Sequence, residues 1–345
     1  MPVQYQDFNT SQDVTTTKTL LHEVIPVTGT IVSGTYTDSN IKNYSHGMFQ
    51  SVYDYPYLSS SANHIFDITV GYDESSGLSG SASTQNSKKI NLYNQFAQVL
   101  LGYETASTAT VRKFESDISS TTTNEMKEVF FLNFSRLITK DQVKKGSFAL
   151  SLGTNSGYAD PFGGGPIILQ DVNATERTGY GTEIGGDYGV LYTSSIGIIA
   201  DSGVGNVFYQ AGIAVVTASV FPSTVQMNAF EEDFEAVLTG STISASCDEI
   251  RHRLSNVSFN NTTEINSKIY FCRVPHNKFN YSANPTYKSG SQIRVKDVSS
   301  DTPISYITTI GLYSDAGELL ATAKLSEPLR KDPTNELTLR VRLDY

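Results

Sequence analysis

The chain has 345 residues and a formal net charge of -10 at pH 7, from 25 basic and 35 acidic side chains. A charge of this sign disfavours DNA, RNA or another polyanion as the main partner. Charged residues form only 17% of the chain, below the roughly 25% that is usual for soluble proteins. Serine, threonine, asparagine, glycine and tyrosine take their place, which favours β-structure and polar loops and is common in proteins that work as assembled parts.

Residues 1–19 contain neither the basic stretch nor the apolar stretch of a signal peptide, so we expect no signal peptide and synthesis in a reducing cytoplasm. No apolar run approaches the ~20 residues of a membrane span, and we therefore expect no membrane-spanning segment. The two cysteines, Cys247 and Cys272, are then expected to be free thiols in a reducing compartment. Their spacing alone leaves a disulfide open.

Four segments are predicted in chain order: an extended arm at 1–20, an α+β domain at 21–145, a glycine-rich β domain at 146–240 and a C-terminal β domain at 241–345. The arm is polar and lacks apolar periodicity, so we expect it to be held against a neighbour, in this chain or another. The fold class is mainly β with a few helices (α+β), made of antiparallel β-sandwich-like domains and a C-terminal antiparallel sheet.

The 21–145 segment is predicted to hold strands at 65–72 and 128–135 and the clearest helix of the chain. Apolar residues at helical spacing indicate that helix, namely Ile90, Tyr93, Phe96, Ala97, Leu100 and Leu101. Lys88 and Lys89 lie at the end of the helix that the macrodipole makes unfavourable for positive charge. We therefore expect these two lysines to serve a local contact.

The 146–240 segment alternates short apolar runs with glycine-rich turns, which predicts a series of strands. A strand at 148–152 is expected to pair with the one at 128–135. Four more strands are predicted at 167–169, 190–192, 196–200 and 207–221. A helix is predicted at 223–239, with Phe230, Phe234 and Val237 on its apolar face.

The 241–345 segment begins with a predicted helix at 246–254. Asn260 and Asn261 are expected to form a turn between two strands, because asparagine tolerates positive φ. Three further runs predict a three-stranded antiparallel sheet with a tight turn at 314–317; they are 307–313, 318–324 and 337–343. In the last run leucine and valine alternate with polar residues, as a strand with one buried face requires.

No catalytic, cofactor-binding or metal-binding residue is predicted. The five histidines show no spacing typical of metal ligands; they are His22, His46, His64, His252 and His276. We expect His276 to be a structural residue that hydrogen-bonds loop backbone. A cluster of acidic residues could supply a carboxylate pair for glycoside hydrolysis, but a solvated helix face is the favoured interpretation; its members are Glu231, Glu232, Asp233 and Glu235.

Six segments after residue 60 are distinctive as a set: HIFDITVGY (64–72), KKINLYNQFAQVLLGY (88–103), KEVFFLNFSR (127–136), NVFYQAGIAVVTASVF (206–221), NSKIYFCRVPHNKFNYSANPTY (266–287) and ISYITTIGLYSDAGELLATAKLSEPLRK (304–331). Together they resemble virion structural proteins of large contractile-tailed bacteriophages, notably the T-even-like viruses of marine bacteria. The resemblance implies a tail-associated virion component, of the baseplate or its fibre-attachment apparatus, made in the host cytoplasm. It carries over no active-site residue.

The resemblance implies a protein that works through subunit interfaces, without enzymatic activity or a cofactor. It predicts a homo-oligomer whose partners are other phage tail and baseplate proteins. We expect the contacts to come from the arm, from 153–187 and from the 276–287 loop. The candidate interface residues are Gln4, Tyr5, Phe8, Phe162, Tyr180, His276, Asn277, Phe279, Tyr281 and Tyr287.

Three alternatives stay open at this point. The first is a structural protein of the neck, collar or head. The second is a receptor-binding or glycan-binding tail protein that contacts the host surface. The third is a tail-borne hydrolase that uses the acidic cluster at 231–235.

Overall fold

A computed structural model describes residues 5–27, 38–104, 110–118, 124–176, 180–193, 203–282, 288–289, 292–293, 300 and 302–345. In these ranges the chain is mainly β with four helices and a large antiparallel sheet, which confirms the predicted fold class. The chain divides into a smaller unit, Met1–Leu20 with Glu264–Tyr345, and a larger unit, Leu21–Thr263. The finer division into four segments stays a prediction. No helix in the described ranges is long and apolar enough to cross a membrane.

The described helices and strands are numbered in chain order. The helices are α1 (Asn86–Leu100), α2 (Arg136–Thr139), α3 (Phe234–Gly240) and α4 (Ile243–His252), with 3-10 turns at Asp38–Asn40 and Ala218–Val220. The strands are β1 (Val14–Val27), β2 (Ile41–Asn43), β3 (Gln50–Tyr53), β4 (His64–Tyr72), β5 (Glu128–Phe134), β6 (Gln142–Val143), β7 (Ala149–Leu152), β8 (Ile167–Gln170), β9 (Tyr180–Glu183), β10 (Gly186–Tyr192), β11 (Gly203–Phe208), β12 (Ile213–Thr217), β13 (Leu254–Val274), β14 (Lys288–Ser289), β15 (Gln292–Ile293), β16 (Ser305–Tyr313), β17 (Leu319–Lys331) and β18 (Leu337–Asp344).

The larger unit is organised by an antiparallel sheet with strand order β13-β7-β8-β10-β11-β12-β5-β4-β3-β2. Strand β5 lies between β12 and β4, and both of its faces are buried, since Phe130 packs on one side and Phe131 on the other. The predicted pairing of β5 with 148–152 is therefore wrong. That segment is β7, and it pairs with β8 and β13 instead.

Helices cover both faces of this sheet. On one face α1 places Tyr93 and Ala97 in a cluster with Phe131 of β5. On the other face α3 and α4 place Phe234 and Ile250 with the side chains that β5 turns the opposite way. The close approach of α1 to β4 requires glycine at position 71, because a Cβ there would stand 2.8 Å from the Lys89 carbonyl oxygen.

Two predicted elements of the larger unit are corrected by the structure. The 207–221 run is not one strand but the end of β11, a turn and then β12. The 223–239 helix is shortened to α3, because Glu231 has a φ of 62° and Asp233 caps the helix by accepting a hydrogen bond from the Ala236 amide. Phe230, predicted on an apolar helix face, is 85% exposed. The strand predicted at 196–200 lies outside the described residues.

The predicted turn at Asn260 and Asn261 is also wrong, because both residues lie inside β13, a strand of 21 residues. The Asn261 side chain is buried and both ends of its amide have partners. Its Nδ2 donates to the Ile138 carbonyl oxygen at 3.0 Å, and its Oδ1 accepts from the Glu23 amide at 3.2 Å. Satisfied hydrogen bonds keep the asparagine in an extended strand.

In the smaller unit β18 pairs antiparallel with β13, from Ser267 opposite Asp344 to Val274 opposite Leu337. Strands β16 and β17 pair with each other in a separate two-stranded sheet. The predicted three-stranded C-terminal sheet is therefore wrong, although the alternation of buried and exposed positions along β18 is confirmed. The tight turn at 314–317 is confirmed as well, with Gly317 at a φ of 80° that favours glycine.

Candidate interaction surface

The smaller unit buries little apolar surface. Among its described residues four apolar side chains are buried, each 7% or 8% exposed: Ile269, Val274, Leu312 and Val341. Eight large apolar or aromatic side chains of the same unit are at least 39% exposed: Tyr5, Leu20, Tyr281, Tyr306, Tyr313, Leu319, Leu320 and Tyr345. Where such side chains are contiguous, they form the kind of apolar surface that another molecule covers.

The N-terminal arm is anchored to β13 by Asp13, which is only 6% exposed. One carboxylate oxygen accepts from the Arg273 Nε at 2.5 Å, and the other accepts from the Asn9 amide at 2.9 Å. The Asn9 amide, followed by Arg273, holds the pKa of Asp13 below its ordinary value of 3.8. The Asp13 carbonyl oxygen also accepts from the Phe271 amide at 2.8 Å.

Two aromatic residues of the arm contact other rings of the smaller unit. The Phe8 ring lies 5.4 Å from Tyr270 of β13, and the Tyr5 ring lies 5.2 Å from Tyr313 of β16 in an edge-to-face contact. Edge-to-face pairs at such distances are stabilising. The expectation that the arm packs against a neighbour is therefore confirmed for this part of the chain, and the neighbour is the chain itself.

The loop that begins at His276 is held by Lys331, whose side chain is fully buried. Its Nζ donates to the His276 carbonyl oxygen at 3.2 Å, to Asn280 Oδ1 at 2.6 Å and to the Asp332 carbonyl oxygen at 2.8 Å. The His276 ring Nδ1 lies 3.0 Å from Glu336 Oε1, which lowers the pKa of Glu336. The ring of His276 thus contacts a carboxylate rather than the loop backbone that the sequence predicts. The backbone carbonyl of His276 helps to hold the loop, because it accepts from Lys331.

Phe279, in the same loop, has a φ of 60°. This left-handed conformation is unfavourable for a bulky residue and persists where surrounding contacts hold it. Here the Ser305 hydroxyl donates to the Phe279 carbonyl oxygen at 2.5 Å. The loop therefore presents exposed side chains, among them Asn277, on a backbone that β16 and Lys331 fix.

The glycine-rich segment belongs to the larger unit and is held by Arg253, a second fully buried cation. Its guanidinium donates to the carbonyl oxygens of Gly153 at 3.0 Å, Asn155 at 2.8 Å and Gly157 at 3.4 Å, and to that of Gln226 at 2.5 Å. Phe162 is half-buried in this segment. The segment is thus fixed from beneath by the end of α4.

The predicted interface residues fall into three groups. Six lie in the smaller unit: Tyr5, Phe8, His276, Asn277, Phe279 and Tyr281. Phe162 lies in the larger unit, as does Tyr180, which starts β9 opposite Gly189. Gln4 and Tyr287 lie outside the described residues. No local pattern marks Lys331 or Arg253 as buried, because a basic residue at the end of an amphipathic strand or helix is usually solvated.

The acidic cluster at 231–235 is partly engaged in local structure. Glu232 Oε2 accepts from Asn228 Nδ2 at 2.7 Å, and Asp233 Oδ1 accepts from the Ala236 amide at 2.9 Å. Across the described ranges, no group of three or more histidine, cysteine or acidic residues is placed to hold a metal ion. Cys247 and Cys272 are free thiols, as predicted.

The contact predicted for the lysines of α1 is confirmed. Lys89, fully buried, donates from Nζ to the Leu238 carbonyl oxygen at 2.5 Å and to that of Ser241 at 2.8 Å. Burial lowers the pKa of Lys89 to about 8. Lys88 donates to the His46 carbonyl oxygen at 3.0 Å.

Comparisons of the chain with protein-family models, with curated proteins and with solved structures found no match.

Proposed function

We propose that this protein is a non-enzymatic structural component of a tailed-phage virion, a baseplate or fibre-attachment assembly protein that works through subunit interfaces. The observation that carries the proposal is the smaller unit, which exposes twice as many large apolar side chains as it buries among its described residues. A protein that acts alone would leave this surface open to unspecific association. A protein that is built into a particle covers it with its neighbours.

The long strand β1 gives independent support. It runs over 14 residues, and the side chains at 15–23 are all exposed. Long exposed edge strands pair readily with other chains, so soluble proteins avoid them or shield them with charge. Along 15–23 the charged residues are Lys18, which is paired with Glu264 at 2.5 Å, and Glu23 at the far end. A strand of this kind suits an assembled subunit.

The test is to look for the chain in purified particles. Peptide mass spectrometry of gradient-purified virions should find it, and immunogold labelling should place it on the tail near the baseplate. Labelling at the neck or head would replace the proposed position with the neck, collar or head alternative. Presence in infected-cell extract together with absence from the particles would overturn the virion assignment.

A glycan-binding tail protein remains a second candidate because of an aromatic cluster in the larger unit. The Tyr44 ring stacks on His46 at 5.1 Å and lies 4.8 Å from Phe49, and Lys42 Nζ stands 4.9 Å from its centroid. Aromatic faces beside polar groups are typical of sites that orient a small ligand. Binding to a host-surface glycan panel that Tyr44→Ala abolishes would favour this candidate, and no binding by the wild type would remove it.

A further inference from the structure

The β16–β17 hairpin is the longer of two strand pairs whose members pair only with each other among the described residues. An isolated two-stranded hairpin is marginally stable in water, and stability needs a further strand or a packed face. In this hairpin Leu312 alone of the described apolar residues is buried, at 7% exposure. Within the described ranges no third strand pairs with the hairpin. The Tyr5 ring of the arm contacts it at Tyr313, but Leu319 and Leu320 stay exposed.

The open end of the hairpin combines apolar and acidic side chains. Leu319 is 52% exposed, Leu320 is 68% exposed and Tyr313 is 44% exposed. Asp315 lies in the turn and Glu318 directly precedes Leu319, and both carboxylates are exposed. Neither carboxylate has an ion-pair partner within the part of the chain that the structure describes. We name these five residues the hairpin tip.

The opposite character is found on one face of the β13–β18 pair. Phe271 of β13 stands directly opposite Arg340 of β18, so their side chains share this face. The two neighbouring arginines are already neutralised, since Arg273 contacts Asp13 at 2.5 Å and Arg342 contacts Asp344 at 2.7 Å. Arg340 is exposed and makes no ion pair with any described residue. We name Phe271 and Arg340 the arginine face.

The geometry points to an interface in which the hairpin tip of one copy docks on the arginine face of a second copy of this chain. The two surfaces are complementary: one has exposed leucines and two carboxylates, the other a half-buried phenylalanine and a guanidinium, and these charged groups have no ion-pair partner among the described residues. Charge complementarity of this kind fixes partner and register. Because each copy carries both surfaces, the contact is reciprocal in a two-fold dimer or repeats head-to-tail in a ring or an open filament.

This inference rests on the proposed function and names one of its interfaces. The experiment measures self-association of the full chain by sedimentation velocity, at concentrations up to about 100 μM, where a weak Kd is still visible. The wild type should associate. Reversal of the tip charges, Asp315→Lys with Glu318→Lys, should weaken association by about tenfold or more, and Arg340→Glu should do the same. A control with the same charge change in the larger unit, Glu74→Lys with Glu235→Lys, should associate like the wild type.

The decisive arm mixes the two reversed variants. In the mixture a lysine tip meets a glutamate at position 340, so association should return toward the wild-type level. A monomeric wild type, tip variants that match the control, or a mixture that does not recover would each overturn the inference. A chain found in virions whose self-association ignores these reversals would leave the proposed function standing and remove only this interface.

Discussion

Three buried cations join segments of the chain that are distant in sequence. Lys89, Arg253 and Lys331 are each fully buried, and each donates to backbone carbonyl oxygens. Burying a charge without hydrogen-bond partners is costly, so each position is stable only with its carbonyl acceptors in place. These residues therefore fix the loops that they contact.

Replacement of the buried Arg253 should destabilise the fold. Replacement by methionine keeps the length of the side chain but leaves four carbonyl oxygens without their donor. We expect Arg253→Met to lower the free energy of unfolding by about 3 kcal/mol, measured by urea denaturation. Arg251→Met is the matched control, because the ion-pair partner of Arg251 among the described residues is Asp248, one helical turn away, and its loss should change stability by about 0.5 kcal/mol. Equal losses for both variants would contradict this role.

Because the Asp171 carboxyl is buried, we expect the stability of the fold to depend on pH. The buried carboxylate accepts from the amides of Gly146 and Phe148 and from the Tyr209 hydroxyl, but desolvation prevails and raises its pKa from 3.8 to about 6. Between these values the folded state keeps a proton that the unfolded state has lost. Folded protein then binds more protons, so this contribution to stability falls as pH rises toward about 6 and is constant above it.

The free energy of unfolding of the wild type and of Asp171→Asn is measured by urea denaturation from pH 4 to pH 7, a range that includes the raised pKa of Asp171. Because asparagine does not titrate, the stability difference, wild type minus variant, should decrease with rising pH and then level off. Glu74→Gln, which changes an exposed carboxyl in the same unit, is the matched control. A flat difference for Asp171→Asn would show that its carboxyl does not retain the proton.

At the scale of elements the Asp13 side chain is the buried polar attachment of the arm to β13. Asp13 accepts from both Arg273 and Asn9, whereas the ring contacts of Tyr5 and Phe8 lie nearer the free end. We expect Asp13→Ala to release residues 5–13 and to speed amide hydrogen exchange there by about tenfold. Exchange in β5 should not change.

The matched control for the arm is Asp7→Ala, an exposed acid on the same segment. It should leave exchange in the arm as it is in the wild type.

The attachment of the arm should also depend on pH, because the pKa of Asp13 is lowered in the folded state. The contribution of the Asp13 carboxylate is fully present above pH 3.8 and is lost as pH falls below that value. Rapid exchange of the wild-type arm at neutral pH would contradict the anchoring role.

At the scale of the whole molecule the two units differ in what stabilises them. The larger unit has apolar clusters on both faces of its sheet, with Phe66, Phe130, Phe131 and Phe208 among the fully buried side chains. The smaller unit has four buried apolar side chains among its described residues. Since burial of apolar area is the main source of stability, the smaller unit should be the weaker one until a partner covers it.

Hydrogen exchange at two protein concentrations tests this difference. We expect the amides of β16, β17 and β18 to exchange faster than those of β5 and β12 in dilute protein. Their protection should rise with concentration, because association stabilises the state that binds. Uniform protection at both concentrations would show that the smaller unit needs no partner.

Local patterns were enough to predict several elements from the sequence. Helix α1 and strands β4, β5 and β18 lie where apolar periodicity placed them, and the turn at 314–317 follows from its Asp and Gly. The mainly β fold class follows from the same signals. Each depends on residues within a few positions of one another, and backbone geometry alone converts such spacing into a helix face or a strand face.

Only the tertiary structure decided which strands are neighbours and which polar residues are buried. Periodicity indicates that β5, β7 and β18 are strands, but it does not show that β5 pairs with β12 or that β18 pairs with β13. The same holds for Asn261 inside β13 and for the buried cations Arg253 and Lys331, whose acceptors come from segments far along the chain. Strand pairing and burial of charge depend on contacts between distant residues, which no local pattern encodes.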